Sequence, residues 1–293
     1  MNTLSRSFVV STLAAVLAVT TAAAPALAKG GPPSSSGSKT STTTTGNDIS
    51  WPQCTGSLPS GQAFGIVGVN DGLANNLNPC LAGELTWASN STGKSSPGTQ
   101  PKASLYVNTA NPGSGVGDWP KTNDASIPNP YNGCFAVNGS YDTQGCAFQY
   151  GWERATQDMQ WLAQSATTGV TLNPADYVWW LDVETGNSWE TGTAGLANNA
   201  ADLQGMVAAF ASATGQSPAV ITGVYSTSSQ WNQITGTPTG TPAGNLAGLP
   251  NWIPGARTAS GAASNCGLAP FTGGVVVLTQ WFGKPFDGDY ACR

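Results

Sequence analysis

The sequence predicts an α/β fold of the (β/α)8-type TIM barrel, and three observations support this prediction. Segments with the apolar density of buried strands alternate with segments whose apolar residues recur every three or four positions, as on one face of a helix. Eight such strand segments fit within residues 48–293, which is the size of a closed parallel barrel. The glycine fingerprint of an open nucleotide-binding sheet is missing, because Gly65 and Gly68 lie within a strand rather than at its end.

The predicted elements follow one another in a regular order. The strands, in chain order, are 48–51, 63–70, 103–109, 177–184, 219–226, 251–255, 275–281 and 286–292. Helices are predicted at 77–88, 155–166, 196–210 and 229–234, and little room remains for helices between the last three strands. A connection rich in Pro, Gly and Asn runs from about residue 111 to residue 151, and connections of this length are usually functional walls or lids.

The amino-terminal segment has the pattern of an export signal. Within residues 1–28, Arg6 precedes an apolar run that ends before Ala26-Leu27-Ala28, a small-residue cleavage site. A membrane anchor is the alternative interpretation of this run. We expect cleavage after Ala28, a disordered linker rich in Ser, Thr and Gly over 29–47, and a barrel domain over 48–293 of a secreted protein.

Composition limits the chemistry that the chain can perform. The 293 residues include 10 Lys and Arg against 15 Asp and Glu, so no basic cluster is available to bind nucleic acid. The absence of histidine excludes a Ser-His-Asp site, a Cys-His site and a histidine-ligated metal. A hydrolase of this composition must take its proton chemistry from carboxylates, and no cofactor is expected.

Six cysteines follow the predicted signal, at Cys54, Cys80, Cys134, Cys146, Cys266 and Cys292. An even number in an exported chain predicts three disulfides. Six cysteines allow 15 pairings, among which the sequence cannot choose. Closure of local loops suggests Cys54–Cys80, Cys134–Cys146 and Cys266–Cys292. A metal site is the alternative, but no two cysteines have C-x-x-C spacing.

Two carboxylates end the most apolar strand segment, YVWWLDVE. Strand alternation puts Trp180, Asp182 and Glu184 on one face of the strand. Carboxyl groups this close, beside tryptophan rings, cannot both ionise easily, and one of them is then suited to act as a general acid. Catalytic residues of such barrels lie at the carboxyl ends of strands. The alternative is that Asp182 caps a loop and Glu184 is solvated.

Further acidic residues lie near both ends of the predicted domain. The first and last strands of a closed barrel are neighbours, so Asp48 and Asp289 are expected to converge on one mouth, although Asp287-Gly288-Asp289 is also typical of a turn. Asp71 directly follows a strand and is a candidate binding residue. Capping and solvation are the expected roles of the remaining acids considered, which are Glu153, Asp158, Asp176, Glu190 and Asp202.

Exposed tryptophan often stacks on sugar rings, and the chain has 11 tryptophans, several of them at strand ends. Core packing is the commoner role of any one of them. We expect Trp281 and Trp252 to line a groove.

The order of these motifs resembles that of the family 25 glycoside hydrolases, which are secreted lysozyme-type muramidases with a (β/α)5β3 barrel. The matching segments run in register through nearly all of residues 46–293. They are Asn47-Asp48-Ile49-Ser50, 64–72 (FGIVGVNDG), 180–184 (WLDVE), 223–226 (GVYS) with Trp231, Trp252, Gln280-Trp281 and 286–290. The third strand departs from the family pattern, since Leu105-Tyr106-Val107-Asn108 replaces a Tyr-His-Phe-like end.

The resemblance implies a role for each matching residue. Glu184 is then the proton donor to the leaving glycosidic oxygen, and Asp182 tunes Glu184 or stabilises the intermediate. Asp48 and Asp289 position water or the N-acetyl group of the substrate. Substrate contacts are expected from Asp71, Tyr106, Asn108, Tyr225, Trp252, Gln280 and Trp281.

Three functions are compatible with the sequence. The first is a secreted glycoside hydrolase that cleaves a cell-wall or related polysaccharide. The second is a catalytically inactive barrel that binds carbohydrate or the cell wall, and the third is a disulfide-bridged structural protein. The four acids favour the first function, and the altered third strand favours the second. We expect a monomer whose partner is a polysaccharide such as peptidoglycan, with no membrane span after signal cleavage.

Overall fold

Eight strands of the chain close into one barrel. The computed structural model describes residues 43–165, 168–237 and 243–293, so the predicted export signal and most of the predicted linker lie outside the described residues. The strands are β1 (Gly46–Ile49), β2 (Gly65–Gly68), β3 (Ala103–Asn108), β4 (Trp179–Asp182), β5 (Thr222–Tyr225), β6 (Asn251–Ala256), β7 (Val276–Trp281) and β8 (Asp287–Ala291). The predicted closed α/β barrel is confirmed, and β1 begins two residues before the expected start of the domain.

The directions of the strands determine which strand ends meet at the mouth of the barrel. Strands β1 to β7 pair in parallel in chain order. The last strand, β8, runs antiparallel to both of its neighbours, β7 and β1. The carboxyl ends of seven strands and the amino end of β8 therefore meet at one rim, which is the mouth of the barrel.

Five of the strands are followed by α-helices within the described ranges. They are α1 (Leu81–Ser89), α2 (Gln144–Gln164), α3 (Gly192–Thr214), α4 (Pro218–Ile221), α5 (Ser228–Thr235) and α6 (Ala259–Asn265). The prediction of little room for helices among the last three strands is wrong at α6, where Thr258 caps a short helix by accepting from the Gly261 N–H at 3.1 Å. No helix in these ranges has the length and apolarity to cross a membrane.

The long connection after β3 ends earlier than predicted. Thr143 caps α2 by accepting a hydrogen bond from the Cys146 N–H at 3.3 Å, so residues 144–151 are helical. The connection packs on α2 and α3 through a separate apolar core that includes Trp119, Ile127 and Phe148. The disulfide Cys134–Cys146 ties it to the first turn of α2.

All three disulfides join the cysteines that local closure suggests. Besides Cys134–Cys146, the pairs are Cys54–Cys80 and Cys266–Cys292. The last of these links the end of α6 to the chain just after β8. The bridges therefore hold loops and termini against the barrel rather than crossing its core.

Strand alternation divides the buried residues as predicted for β4. Trp179, Leu181 and Val183 belong to the core between barrel and helices. Trp180 points into the barrel, where it packs with residues such as Phe64 and Trp252. The two sides of this strand thus contribute to different cores, and Asp182 lies on the inner side.

Aromatic rings fill the barrel interior opposite glycines of neighbouring strands. A Cβ atom on Gly223 of β5 would lie 2.2 Å from the ring of Trp180 on β4. A Cβ atom on Gly46 would lie 2.3 Å from the ring of Phe64, and one on Gly68 would lie 2.6 Å from Cζ of Tyr106. Because real Cβ atoms do not approach rings this closely, glycine is required at these positions for the rings to fit.

Two acids in the helix layer do not have the solvated positions expected for them. Asp158 of α2 and Asp202 of α3 are both fully buried. Asn70 Nδ2 donates to Asp158 Oδ1 at 3.0 Å, whereas both carboxyl oxygens of Asp202 lack a donor among the described residues. Burial raises the pKa of both carboxyls well above the usual range. The expectation was wrong because α2 and α3 cross closely, with Gly151 against the backbone of Asp202.

We expect Gly223→Ala to lower the free energy of unfolding by about 1–3 kcal/mol, because the new methyl group would overlap the buried ring of Trp180. Chemical denaturation measures this change. Gly83→Ala in α1 is the control, since a Cβ atom there meets nothing within 4 Å, and it should be neutral or stabilising by up to about 1 kcal/mol. Wild-type stability of Gly223→Ala would contradict the packing described.

We expect Asp202→Asn to stabilise the protein increasingly as pH rises from about 4 to neutral. The folded state holds the Asp202 proton more tightly than the unfolded state does, so wild-type stability falls as pH rises through this window. Asp124→Asn has the opposite sign, because hydrogen bonds from Ser126 lower the pKa of Asp124. Unfolding curves at several pH values test both variants, and a pH-independent effect of Asp202→Asn would contradict the burial of its carboxyl.

Candidate active site

A cavity of about 160 Å³ opens at the mouth of the barrel. We call it the carboxylate pocket. Its lining combines four acids, three aromatic residues and one amide: Asp48, Asp182, Glu184, Asp287, Tyr106, Tyr225, Trp252 and Gln280. These residues come from or closely follow seven different strands, so closure of the barrel is what brings them together.

Asp182 is the last residue of β4 and is nearly buried. Burial raises the pKa of its carboxyl well above the usual range, and the charges of Glu184 and Asp48 raise it further. Asn108 of β3, the strand that pairs with β4, opposes this effect. In the amide orientation that satisfies both of its polar atoms, Asn108 Nδ2 donates to Asp182 Oδ2 at 2.9 Å. This donor favours the ionised form of Asp182 over that of its neighbours.

Glu184 follows β4 and is only partly buried. Burial raises the pKa of its carboxyl, and a hydrogen bond from the Gln230 side chain lowers it in part. The backbone is held as well, because Trp189 Nε1 donates to the Glu184 carbonyl oxygen at 2.8 Å. The two carboxyl groups are adjacent, so they titrate as a pair in which a charge on Glu184 favours a proton on Asp182 and the reverse.

Asp48 and Asp289 form a second carboxyl pair on β1 and β8. Burial raises the pKa of Asp48 to about 6, while Gln280 Nε2 opposes the rise by donating to Asp48 Oδ2 at 2.9 Å. Asp289 is fully buried, and burial and the adjacent charge of Asp48 raise its pKa well above the usual range. A hydrogen bond from the Trp252 side chain opposes this rise in part. A proton on Asp289 that is shared with Asp48 satisfies both groups.

Three aromatic side chains surround these acids. The ring of Trp252 meets that of Tyr225 edge to face at 4.6 Å and that of Trp180 at 5.9 Å. Tyr225 Oη donates to Gln280 Oε1 at 2.9 Å, which orients Gln280 toward Asp48. Burial raises the pKa of both Tyr106 and Tyr225, so their hydroxyl groups stay protonated. The acids therefore face a rim of rings and neutral donors.

The structure separates the sequence-predicted residues into three groups. Six predicted residues line the carboxylate pocket together with Glu184: Asp48, Tyr106, Asp182, Tyr225, Trp252 and Gln280. Asp289 and Asn108 support them from behind the lining. Two predicted residues, Asp71 and Trp281, are not part of the lining. Asp71 lies in the tight loop after β2. Trp281 follows Gln280 on β7 and therefore points to the opposite face of the strand, where it packs against Gly288 of β8.

Two residues of the site were not predicted from the sequence. Asp287, expected to belong to a turn, accepts from the Gly283 N–H at 2.9 Å and also lines the pocket. Its position two residues before Asp289 on β8 is the signal that could have found it. Gln230 comes from α5, and no local pattern relates it to Glu184.

The arrangement has the components of acid–base chemistry. Burial raises the pKa of two adjacent carboxyl groups, each of them has an amide neighbour, and both face the same cavity. The aromatic rings exclude water from one side and offer surfaces for stacking. Such a site can donate a proton to a leaving group and stabilise positive charge that develops nearby.

Comparison with known proteins gave likeness to solved structures, whereas no family model and no curated protein matches the chain. The structures are muramidases from Acremonium alcalophilum (15% identity, TM-score 0.47) and Trichobolus zukalii (13%, 0.47) and a family GH25 lysozyme from Aspergillus fumigatus (14%, 0.47). Each match covers 84% of this chain and 92% of the other. The function proposed below rests on the residues of the site and not on these likenesses.

We expect Asp48→Asn to lower the pKa of Asp182, because it removes one of the negative charges that raise it. Carbon-13 NMR titration of the aspartate carboxyl groups measures this shift. Asp287→Asn is the matched control, since the Asp287 charge acts on Asp48 and Asp289 and is not among the causes for Asp182. An Asp182 titration that is identical in wild type and Asp48→Asn would show that these carboxyls do not share one pocket.

Proposed function

We propose that the protein is a secreted glycoside hydrolase that cleaves glycosidic bonds of a cell-wall or related polysaccharide, with Glu184 as the general acid. The observation that carries this proposal is the pairing of Asp182 and Glu184 in one pocket over a floor of aromatic rings. Paired carboxyl groups whose environments separate their roles are the usual means of glycoside hydrolysis.

Glu184 has the properties required of the acid. Its raised pKa favours the protonated form that a general acid needs, and its partial exposure lets a substrate oxygen approach. As the glycosidic bond breaks, the Glu184 proton passes to the leaving oxygen. In this role assignment Asp182, which accepts a hydrogen bond from Asn108, is the ionised partner and stabilises the positive charge that develops on the sugar.

The Asp48–Asp289 pair acts on the other side of the pocket. Asp48 with the shared proton of Asp289 can hold either a water molecule or the N-acetyl group of the substrate. Gln280 and Tyr225 keep the Asp48 carboxyl in place. Sugar recognition falls to Trp252, Tyr106 and Tyr225, because an acidic pocket has no charge attraction for anionic wall polymers.

The order of elements supports the (β/α)5β3 variant of the barrel. An α-helix follows each of β2 to β6, whereas β1 is followed only by a 3-10 helix at Trp51–Gln53, and no α-helix follows β7 or β8 in the described ranges. Three disulfides support passage through an oxidising compartment, as expected if residues 1–28 are an export signal.

Glu184→Gln tests the proposal. The variant keeps the shape of the side chain and removes the proton donor, so we expect release of new reducing ends to fall by at least about 100-fold. Purified mature protein is given peptidoglycan and several soluble polysaccharides. Glu153→Gln, on α2 and outside the carboxylate pocket, is the matched control and should retain wild-type release. Equal release by Glu184→Gln and wild type would refute the role of Glu184.

A carbohydrate-binding barrel without turnover is the second candidate, and the altered end of β3 favours it. Tyr106 and Asn108 occupy positions where the resembled family has a different motif, so the site can bind a sugar with other hydrogen bonds. Binding of polysaccharide by wild type and Glu184→Gln alike, with no reducing ends released by either, would support this function over hydrolysis.

A further inference from the structure

Asp158 of α2 is a buried acid that the proposed chemistry does not use. Its side chain is fully buried, and Asp158 Oδ1 accepts from Asn70 Nδ2 at 3.0 Å. Asp158 Oδ2 has no partner among the described residues. The cation that acts on this carboxyl is Arg154, one turn earlier, but its guanidinium donates to Asp118 at 3.1 Å. A buried carboxyl with one hydrogen bond costs stability, and this one bond leads from the helix layer to the barrel.

Asn70 comes two residues after β2 and is fully buried. Asn70 Oδ1 accepts from the backbone N–H of Asn108, the last residue of β3, at 2.8 Å. The Val69 carbonyl oxygen is engaged elsewhere, since it accepts from the Asn78 N–H at 2.9 Å. The Asn70 side chain therefore extends the pairing of β2 with β3 to the end of β3.

The orientation of the Asn70 amide depends on its acceptors. With Asp158 as acceptor, the Asn70 NH2 group faces α2 and the amide oxygen faces the Asn108 N–H. The Ala74 carbonyl oxygen also accepts from this NH2 group, at the longer distance of 3.4 Å. The reverse orientation would leave the Asn108 N–H facing another donor. A proton on Asp158 Oδ2 leaves Oδ1 able to accept, so this preference does not depend on the charge of Asp158.

Asn108 is held on two sides by the segment that follows β2. Its N–H donates to Asn70, and its side-chain oxygen accepts from the Gly72 N–H at 3.1 Å. Asn108 Nδ2 is then directed at Asp182 Oδ2, to which it donates at 2.9 Å. A displacement of Asn108 would thus weaken a donor that favours the ionised form of Asp182.

These contacts form one series of hydrogen bonds from the helix layer to the carboxylate pocket. We call it the buried network, and its members are Asp158, Asn70, Asn108 and Asp182. All four residues are buried. A polar group that loses its partner in such surroundings is not readily satisfied by water, and hydrogen bonds in series strengthen one another. Removal of the first acceptor is therefore expected to affect the last carboxyl.

We propose that Asp158 is a positioning residue of the carboxylate pocket, which acts through the two asparagines of the buried network on the hydrogen bond to Asp182. Asp158 itself touches no reacting atom. The inference rests on the proposed function and deepens it, since Asp182 is there the ionised partner of the acid. It extends the site from the mouth of the barrel to α2.

Asp158→Leu and Asp158→Asn test the proposal as a pair. Leucine fills the space and removes the acceptor, whereas asparagine keeps an oxygen that can accept from Asn70. Carbon-13 NMR titration follows the Asp182 carboxyl. We expect Asp158→Leu to move the Asp182 midpoint to higher pH by at least about 0.5, because a donor to the ionised form is weakened. Asp158→Asn should keep the wild-type midpoint.

Asp202→Leu is the matched control. Asp202 is a fully buried acid of the same helix layer, and neither of its carboxyl oxygens has a hydrogen-bond partner among the described residues. This variant should leave the Asp182 midpoint unchanged. Circular dichroism establishes that each variant folds. Asp158→Ala, which also removes the acceptor and favours the helix, repeats the test should Asp158→Leu not fold.

Hydrolysis of peptidoglycan gives a second readout, which a purely structural role would not move. Asp158→Leu should lower kcat at least about fivefold and leave KM within about twofold of wild type. The acidic limb of the pH profile of kcat should move to higher pH, because Asp182 then ionises only at higher pH. Asn70→Ala should act alike, and the double variant should lose no more than either single variant, since both remove one network.

The outcomes separate the two proposals. A displaced Asp182 midpoint in Asp158→Leu, in a protein whose wild type cleaves nothing, would refute hydrolysis and support the positioning role. Wild-type titration and activity of Asp158→Leu would overturn the positioning role and leave hydrolysis intact. A displacement that Asp158→Asn or Asp202→Leu shares would overturn it as well, since loss of the acceptor would then not be the cause.

Discussion

The acids of the carboxylate pocket rest on aromatic rings, and those rings fit inside the barrel only where a neighbouring strand carries glycine. Gly223 makes room for Trp180, and Gly68 makes room for Tyr106. With the rings in place, water is excluded from beneath Asp182 and Asp289. The packing of a few glycines against large rings is therefore the constraint on which both the shape and the electrostatics of the site depend.

Burial of this kind makes carboxyl groups hold protons at a pH where exposed ones do not. In the pocket, amide side chains oppose this effect at particular carboxyl groups: Asn108 favours the charge on Asp182, Gln280 favours it on Asp48, and Gln230 favours it on Glu184. In the helix layer, burial also raises the pKa of Asp158 and Asp202, which lie outside the carboxylate pocket. There the raised pKa lowers stability at neutral pH and has no evident part in chemistry.

The long connection after β3 adds to the barrel a loop that has its own apolar core. It has its own apolar core around Trp119 and Phe148 and is tied by a disulfide to α2. The connection lines a separate cavity, through Pro112, Val116 and Asp118.

Local pattern in the sequence determined the strands and the inward face of Trp180, Asp182 and Glu184, because these depend on residues close together in the chain. For the disulfides it suggested the local pairs without choosing among the alternatives. The same alternation places Gln280 and Trp281 on opposite faces of β7, so the outward position of Trp281 could have been predicted from the sequence. Only the tertiary structure decided that Gln280 meets Asp48 across 232 positions, that Asn108 supports Asp182, and that Asp202 is buried. These contacts depend on strand register and helix crossing once the barrel has closed, and neither leaves a periodic signal in the chain.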